Sequence, residues 1–298
     1  MVERKTPGRI LFNIINYTLL VLIALCCIIP MWHILMASIS NPAMVEISNG
    51  LILLPLGKPS LNGYRYLAGY PKIWRGYKHT LFYVGGQCVI SGLLTLIAGY
   101  VLSRKRFRYR NVLAGFITFT MLFHGGMIPT YMVVRSLHLI DTYWAMLIPG
   151  AMSVFYIIIM RTAIQEIPDS LEESARIDGA GELTILFRII LPLCRATFAV
   201  IILFVAVGKW NEWFSALLYL NKEDKYPLQM ILRDILINMQ TINNGSDVSA
   251  DALNEQMQLY KVLMRYCSIV VSTLPILCIY PFVQKYFVTG VMVGSVKG

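Results

Sequence analysis

Glu173-Ser174-Ala175-Arg176-Ile177-Asp178-Gly179-Ala180-Gly181, followed by Ile189-Ile190-Leu191-Pro192, is a polar passage inside an otherwise apolar chain. Just before it, Pro168-Asp169-Ser170 reads as a helix start, and Ser170 with Glu173 has the spacing of a capping box. The pattern predicts a first helix to about Ile177. Asp178-Gly179 then stops it, because glycine readily takes the left-handed conformation that ends helices. A second helix from Glu182 leads through Leu191-Pro192 into the next apolar stretch. The product is a short, stiff, exposed helix held by a tight turn and joined to apolar helices. A force-transmitting contact requires that form.

The surrounding sequence is membrane material. Of the 298 residues, 57% are hydrophobic and 14% charged, and mean hydropathy is +0.62. Soluble domains average about 45–50% apolar and about 25% charged. Blocks long enough to cross a bilayer, which takes about 20 helical residues, fall at about 17–37, 81–102, 112–127, 142–160, 196–218 and 262–283. The expected fold is all-α: a polytopic membrane protein of six transmembrane helices in one domain, 1–298. The first block follows Arg4, Lys5 and Arg9, is too long for a signal-peptide core and lacks an A-x-A site, so it reads as a retained span.

Orientation rests on Arg104-Lys105-Arg106-Phe107-Arg108-Tyr109-Arg110, five basic residues in seven with no acid, which marks a cytoplasmic loop. Counting spans from it places both termini, the 166–192 loop and the 284–298 tail inside, and the 38–80 and 221–260 loops outside. The net charge of +10 lies largely beside the spans. With no aromatic-interleaved basic platform, nucleic acid is excluded as a partner. Cys26, Cys27, Cys88, Cys194, Cys267 and Cys278 lie in or beside apolar segments with no C-x-x-C, and read as small apolar packers.

Catalytic signatures are missing. Gly208-Lys209 is followed by Trp210 and belongs to no phosphate loop, so neither ATP nor Mg is an expected ligand of this chain. There is no H-E-x-x-H and no G-x-S-x-G, and His33, His79, His124 and His138 are scattered, so no metal site or enzyme activity is expected.

Polar residues inside the apolar blocks are the remaining candidates. Gly125, Gly126 and Pro129 interrupt the third span, either as a packing kink or as part of a gate. In the fifth, Gly208-Lys209-Trp210-Asn211-Glu212-Trp213 is either a self-paired cluster, Lys209 with Glu212, or a substrate-path patch. Trp210, Asn211 and Glu212 are the candidates there, since indole faces stack on sugar rings and the polar pair bonds hydroxyls. Gln87 reads as a helix–helix hydrogen bond before a ligand contact. The amphipathic run from Tyr226 to Leu236, followed by polar Asn243-Asn244-Gly245-Ser246-Asp247, is either a lid on the outer face or a docking surface.

The Glu173 passage resembles the EAA loop of ABC importer permeases: E-A-A, three residues, G, nine residues, I-x-L-P. Glu173, Ala175, Gly179, Ile189, Leu191 and Pro192 fall at the required spacing, and Ser174 replaces the first alanine. The chain's end, from Pro281 to Gly298, is similar to the second permease of maltose-type carbohydrate importers. His124-Gly125-Gly126-Met127-Ile128-Pro129-Thr130-Tyr131, with Leu139-Ile140-Asp141-Thr142 after it, is similar to the oligosaccharide branch that includes alginate- and polygalacturonan-type importers. The resemblance implies the type I importer permease fold and a heteromeric assembly. Its partners would be a second homologous permease, two cytosolic ATPases that bind ATP and Mg, and an extracellular or periplasmic sugar-binding protein, in the bacterial cytoplasmic membrane. Glu172, Glu173, Ser174, Ala175, Asp178, Gly179 and Ala180 would form the ATPase-coupling helix and turn. Gly294, Ser295, Val296, Lys297 and Gly298 would be tail contacts to the ATPases. Rival readings are an importer of another solute, such as peptide or amino acid, tested by binding-protein ligands, and an ion-coupled carrier, whose inverted repeats and intramembrane ion sites are not evident.

Overall fold

The computed structural model describes residues 6–123, 125–244, 262–281 and 284. These form two compact units: Met1–Tyr70 with Leu236–Leu274, and Pro71–Ile235 with Pro275–Gly298. In the first, α1 (Pro7–Ser38) is 32 residues of near-continuous apolar sequence, begun by a proline whose missing N–H costs nothing at a helix start. At 1.5 Å per residue it is about 48 Å long, more than the roughly 30 Å of a bilayer core. Only 6% of its most apolar window is buried in protein. The buried part is its last turn, where Met36 and Ala37 pack with Val45 of α2 (Pro42–Ile47) and with Ile52. Ser40 fixes the exit: its hydroxyl donates to the Met36 carbonyl (2.6 Å) and accepts from the Leu56 N–H (2.9 Å). α3 (Asn62–Ala68) closes the segment.

The second unit is built on α4 (Pro71–Ser103). α5 (Arg110–Leu122) and α6 (Met127–Ser136) follow with a 115° bend between them. α7 (Tyr143–Leu147) and α8 (Val154–Gln165) lead to α9 (Asp169–Ile177). α10 (Glu182–Ile185) passes through a π-helical turn, Leu186–Ile190, into α11 (Leu191–Leu193), and α12 (Arg195–Trp210) departs from that run at 87°. α13 (Phe214–Tyr219), a 3-10 turn at Glu223–Lys225 and α14 (Leu228–Asn244) complete this part. α15 (Val262–Pro281) is the final described helix, and its Cys267 and Leu263 pack on Gly63 of α3 within the first unit.

Small residues let α4 sit close to its neighbours, as packing between membrane helices requires. A Cβ on Gly92 would lie 2.7 Å from Ile202, and one on Gly99 3.0 Å from Met160. The resulting core joins Leu96 and Tyr100 of α4 to Met160 and Ile164 of α8, Ala175 of α9, Ile185 and Ile190, and Ile201 and Val205 of α12. A second cluster gathers Tyr83, Met146, Leu147, Ala216, Leu220 and Met230.

Among the described residues every regular element is helical. Three helices are long and apolar enough to cross a membrane, or five if each bent pair counts as one span. The expected fourth span, 142–160, is not continuous. Pro149 and Gly150 break it between α7 and α8, and the Gly150 carbonyl freed by the break accepts from the Gln87 side chain at 2.6 Å. The Gln87 bond therefore runs from α4 to the break between two helices and not, as its sequence suggested, from helix to helix. The fifth expected span, 196–218, breaks at 211–213 between α12 and α13, where the polar residues cluster. α4 starts at Pro71, ten residues before the expected 81, because Ile73 and Gly76 are buried in protein.

Candidate functional site

The Glu173 passage folds as helix, tight turn and second helix, and its stop is a Schellman motif. The Gly179 N–H donates to the Arg176 carbonyl (3.0 Å) and the Ala180 N–H to the Ala175 carbonyl (2.9 Å). Gly179 has φ +82°, and a Cβ there would meet no atom within 4 Å, so the left-handed backbone alone demands glycine. The expected capping box does not form. Pro168 is the N-cap residue with no side-chain cap bond, and Ser170 lies inside the first turn, where its carbonyl accepts from the Ser174 hydroxyl at 3.0 Å.

Helical phase divides the candidates. Glu172 and Ala175, three apart, share the buried face of α9. Glu173, Ser174, Asp178 and Gly179 are exposed, as are Leu171 and Ile177, the latter 86% exposed. Behind the helix, the end of α4 supplies the opposite charge. Arg104 pairs with Glu172, with side chains only 17% and 7% exposed. The Arg104 guanidinium also lies 4.1 Å from the centre of the Tyr100 ring. The Tyr100 hydroxyl donates to Glu182 (2.6 Å), which also pairs with Arg176 (2.8 Å). Lys105 pairs with Asp169 at 2.6 Å, and this bond holds the Asp169 carboxyl below its ordinary range.

These contacts differ in weight. Exposed pairs such as Lys105–Asp169 add little, whereas removing one partner of a buried pair costs about 3–5 kcal/mol by stranding the other charge. Arg104–Glu172 is therefore the principal tie between α9 and α4. The same residues, with Phe107 and Leu183, line a cleft of about 670 Å³. The assembly is a surface helix pinned from behind by charge, with two apolar side chains facing outward.

The second candidate group centres on an ion pair. The Lys209 ammonium pairs with Glu212 (2.7 Å) and donates to the Met146 carbonyl, and the Ser215 hydroxyl bonds to Glu212. Trp210 is buried with its ring 6.1 Å from that of Tyr77. Asn211 is exposed and its amide returns to the Val207 carbonyl (3.0 Å). This cluster sits at the α12–α13 break. Gly125 and Gly126 belong to a different place, the α5–α6 bend, where Gly126 has φ +87°. His124 and the tail candidates Gly294, Ser295, Val296, Lys297 and Gly298 lie outside the described residues, as does the 245–261 part of the long loop.

A third node was not legible in the sequence beyond its motif. Asp141, with φ 58°, accepts from the backbone N–H of Asn221 (3.3 Å) and Lys222 (3.4 Å) and pairs with Lys225 at 3.2 Å. Burial pushes its carboxyl up, but the Lys225 bond and the two N–H donors outweigh this and hold it below the usual range. The Tyr83 hydroxyl donates to the Lys225 carbonyl (3.0 Å), and Thr80 accepts from the Leu228 N–H (2.8 Å). The stretch from 221 to 228 is thereby clamped to α4. Among the described residues no three His, Cys, Asp or Glu side chains group to hold a metal.

Comparison with known proteins bears on residues 91–293, which match the family described as Binding-protein-dependent transport system inner membrane component. The chain is 40% identical to the Polygalacturonan/rhamnogalacturonan transport system permease protein YtcP of Bacillus subtilis, over 97% of this chain and 99% of that one. It is 37% identical to protein LplC of the same organism, over 98% and 96%. Its structure is similar to a chain in a bacterial ABC transporter involved in import of the acidic polysaccharide alginate, with TM-score 0.83 and 33% identity, covering 96% of this chain and 100% of that one.

Proposed function

The chain belongs to the binding-protein-dependent transport system inner membrane components, and we propose that it is one of two homologous pore-forming subunits of an ATP-driven oligosaccharide importer. It is a multi-pass membrane permease and carries no catalytic step of its own. Relatives named for polygalacturonan/rhamnogalacturonan and arabinooligosaccharide transport support the carbohydrate class.

One observation carries the coupling role: α9 turns Leu171, Glu173 and Ile177 outward while Arg104 and Glu172 fasten its other face to α4. In this reading the outward face seats in a cytosolic ATPase. Closure of two ATPases around ATP and Mg moves α9, and the buried pair passes that motion to α4 without slack. Glu173, Ser174 and Asp178 meet the ATPase, Gly179 and Ala180 form the turn, and Glu172 and Ala175 hold the helix to its own subunit. The tail from Gly294 to Gly298 meets the ATPases as well.

Six spans within one permease domain complete the topology: α1, α4, α5 with α6, α7 with α8, α12 with α13, and α15. Arg104 to Arg110 then lie on the cytosolic side with both termini, and the 38–80 and 221–260 stretches face a sugar-binding protein outside. Trp210, Asn211 and Glu212, and separately Gly125 and Gly126, border the substrate path.

The test is a photo-crosslinking residue at Ile177, introduced in the native cell. Capture of a P-loop ATPase supports the reading. Capture of lipid alone, with no protein adduct, overturns the coupling assignment.

A further inference from the structure

The first turns of α4 hold an aromatic row that the coupling mechanism does not use. Trp74 is 62% exposed, its ring lies 6.2 Å from that of Tyr77, and Tyr77 lies 6.1 Å from buried Trp210. The rings therefore step from an exposed surface to the α12–α13 break, where Asn211 is exposed.

Two cations flank the row. Lys78 follows Trp74 by four residues and Arg75 by three, so it neighbours each of them on the helix surface. Arg75 and Lys78 are exposed, and neither forms an ion pair among the described residues. Lys72, one turn before, is matched by Glu223, and the His79 ring bonds the Asp224 backbone. Like charges three apart on a helix repel each other. Two such cations with no carboxylate within 4 Å among the described residues, beside flat apolar rings, are the complement of a ligand that is both ring-shaped and anionic.

We propose that Trp74, Arg75, Tyr77 and Lys78 form a subsite for a carboxylated sugar unit of an acidic oligosaccharide. This rests on the reading of the chain as an oligosaccharide permease. The indole and phenol faces stack on the pyranose C–H faces, and Arg75 and Lys78 pair with the carboxylate. A neutral sugar would use the rings and leave the cations unmatched. An anionic lipid headgroup would use the cations and leave unexplained a ring row that ends at buried Trp210.

The test uses the assembled importer, co-purified with its partners and reconstituted in liposomes, with trigalacturonate and its methyl ester as paired probes. The ester keeps the rings and removes the charge. Arg75→Gln with Lys78→Gln is expected to raise KM for the free acid about tenfold, the loss of one charge-assisted contact, and to leave the ester unchanged. Trp74→Ala is expected to raise KM for both. Equal effects of the double substitution on acid and ester overturn the subsite. So does an acid-specific effect that vanishes in liposomes lacking anionic lipid, which would make these residues a headgroup anchor. Uptake of the neutral ester but not the acid by the unaltered importer refutes the subsite alone. Uptake of neither probe, nor of neutral maltotriose, refutes the oligosaccharide reading with it.

Discussion

Replacing Glu172 by alanine separates the two glutamates of the coupling helix more sharply than any other single change. The substitution leaves Arg104, only 17% of whose side chain is exposed, without its ion-pair partner. Stranding a fully buried charge costs about 3–5 kcal/mol. The cleft gives Arg104 some access to water and the Tyr100 ring lies beneath it, so the low end applies, about 3 kcal/mol. At about 1.4 kcal/mol per factor of ten, local opening of α9 becomes roughly a hundredfold more frequent. Glu173 is exposed and forms no ion pair among the described residues, so Glu173→Ala leaves the same equilibrium within about twofold. Amide hydrogen exchange over residues 170–177, measured on the solubilised permease without ATPase, reads both numbers directly. Equal exchange in Glu172→Ala and the unaltered protein, or equal acceleration by the two substitutions, refutes the assignment of the buried tie.

Gly179→Ala should cost about 1 kcal/mol in the turn, the usual penalty for a side chain in the left-handed region, and reduce ATP-driven transport without loss of membrane insertion. Gly179→Pro also removes the N–H that bonds Arg176 and should abolish coupling while the chain still inserts, as read by membrane abundance against transport rate. Asp141→Ala should free the 221–228 stretch by removing one carboxylate that serves two backbone donors and Lys225, raising protease cleavage at Lys222 and Lys225. Asp141→Asn, which tolerates the left-handed backbone and keeps an acceptor, should do less. The Asp141 and Asp169 carboxyls are both held below the ordinary aspartate value of about 3.9 when folded. Their stabilising contribution is therefore complete above that pH and lost only as pH falls through the lowered values. Amide hydrogen exchange near both residues, corrected for its intrinsic pH dependence, should show no extra opening between pH 6 and pH 5 and more below about pH 3.9; opening already at pH 5 would contradict the pairing.

The helix-and-turn was legible because its signals are local. A glycine four residues past the last inward alanine, and a proline before the start, fix both ends within one short stretch. The capping box failed for a local reason too: the backbone turns two residues earlier, at Pro168, and leaves Ser170 inside the helix. Glu172 was grouped with outward contacts, although its spacing of three from Ala175 was a usable sign of the inward face. Its partner was not readable, because Arg104 is 68 positions away in sequence and carried an orientation signal that masked a structural one. The broken spans were missed because hydropathy averages over a window and does not register a single freed carbonyl. Only the contact between Gln87 and Gly150 shows how that break is satisfied. The self-pairing of Lys209 with Glu212 was one of two readings of that cluster, and the geometry supplies the pair directly.

Co-purification from the native cell in mild detergent, with the tagged chain and mass spectrometry of what accompanies it, tests the central claim most directly. The account predicts a second polytopic permease and a P-loop ATPase, with the ATPase lost when Gly179→Pro is introduced. Recovery of the chain alone, in detergent that keeps a known ABC transporter assembled, would contradict it.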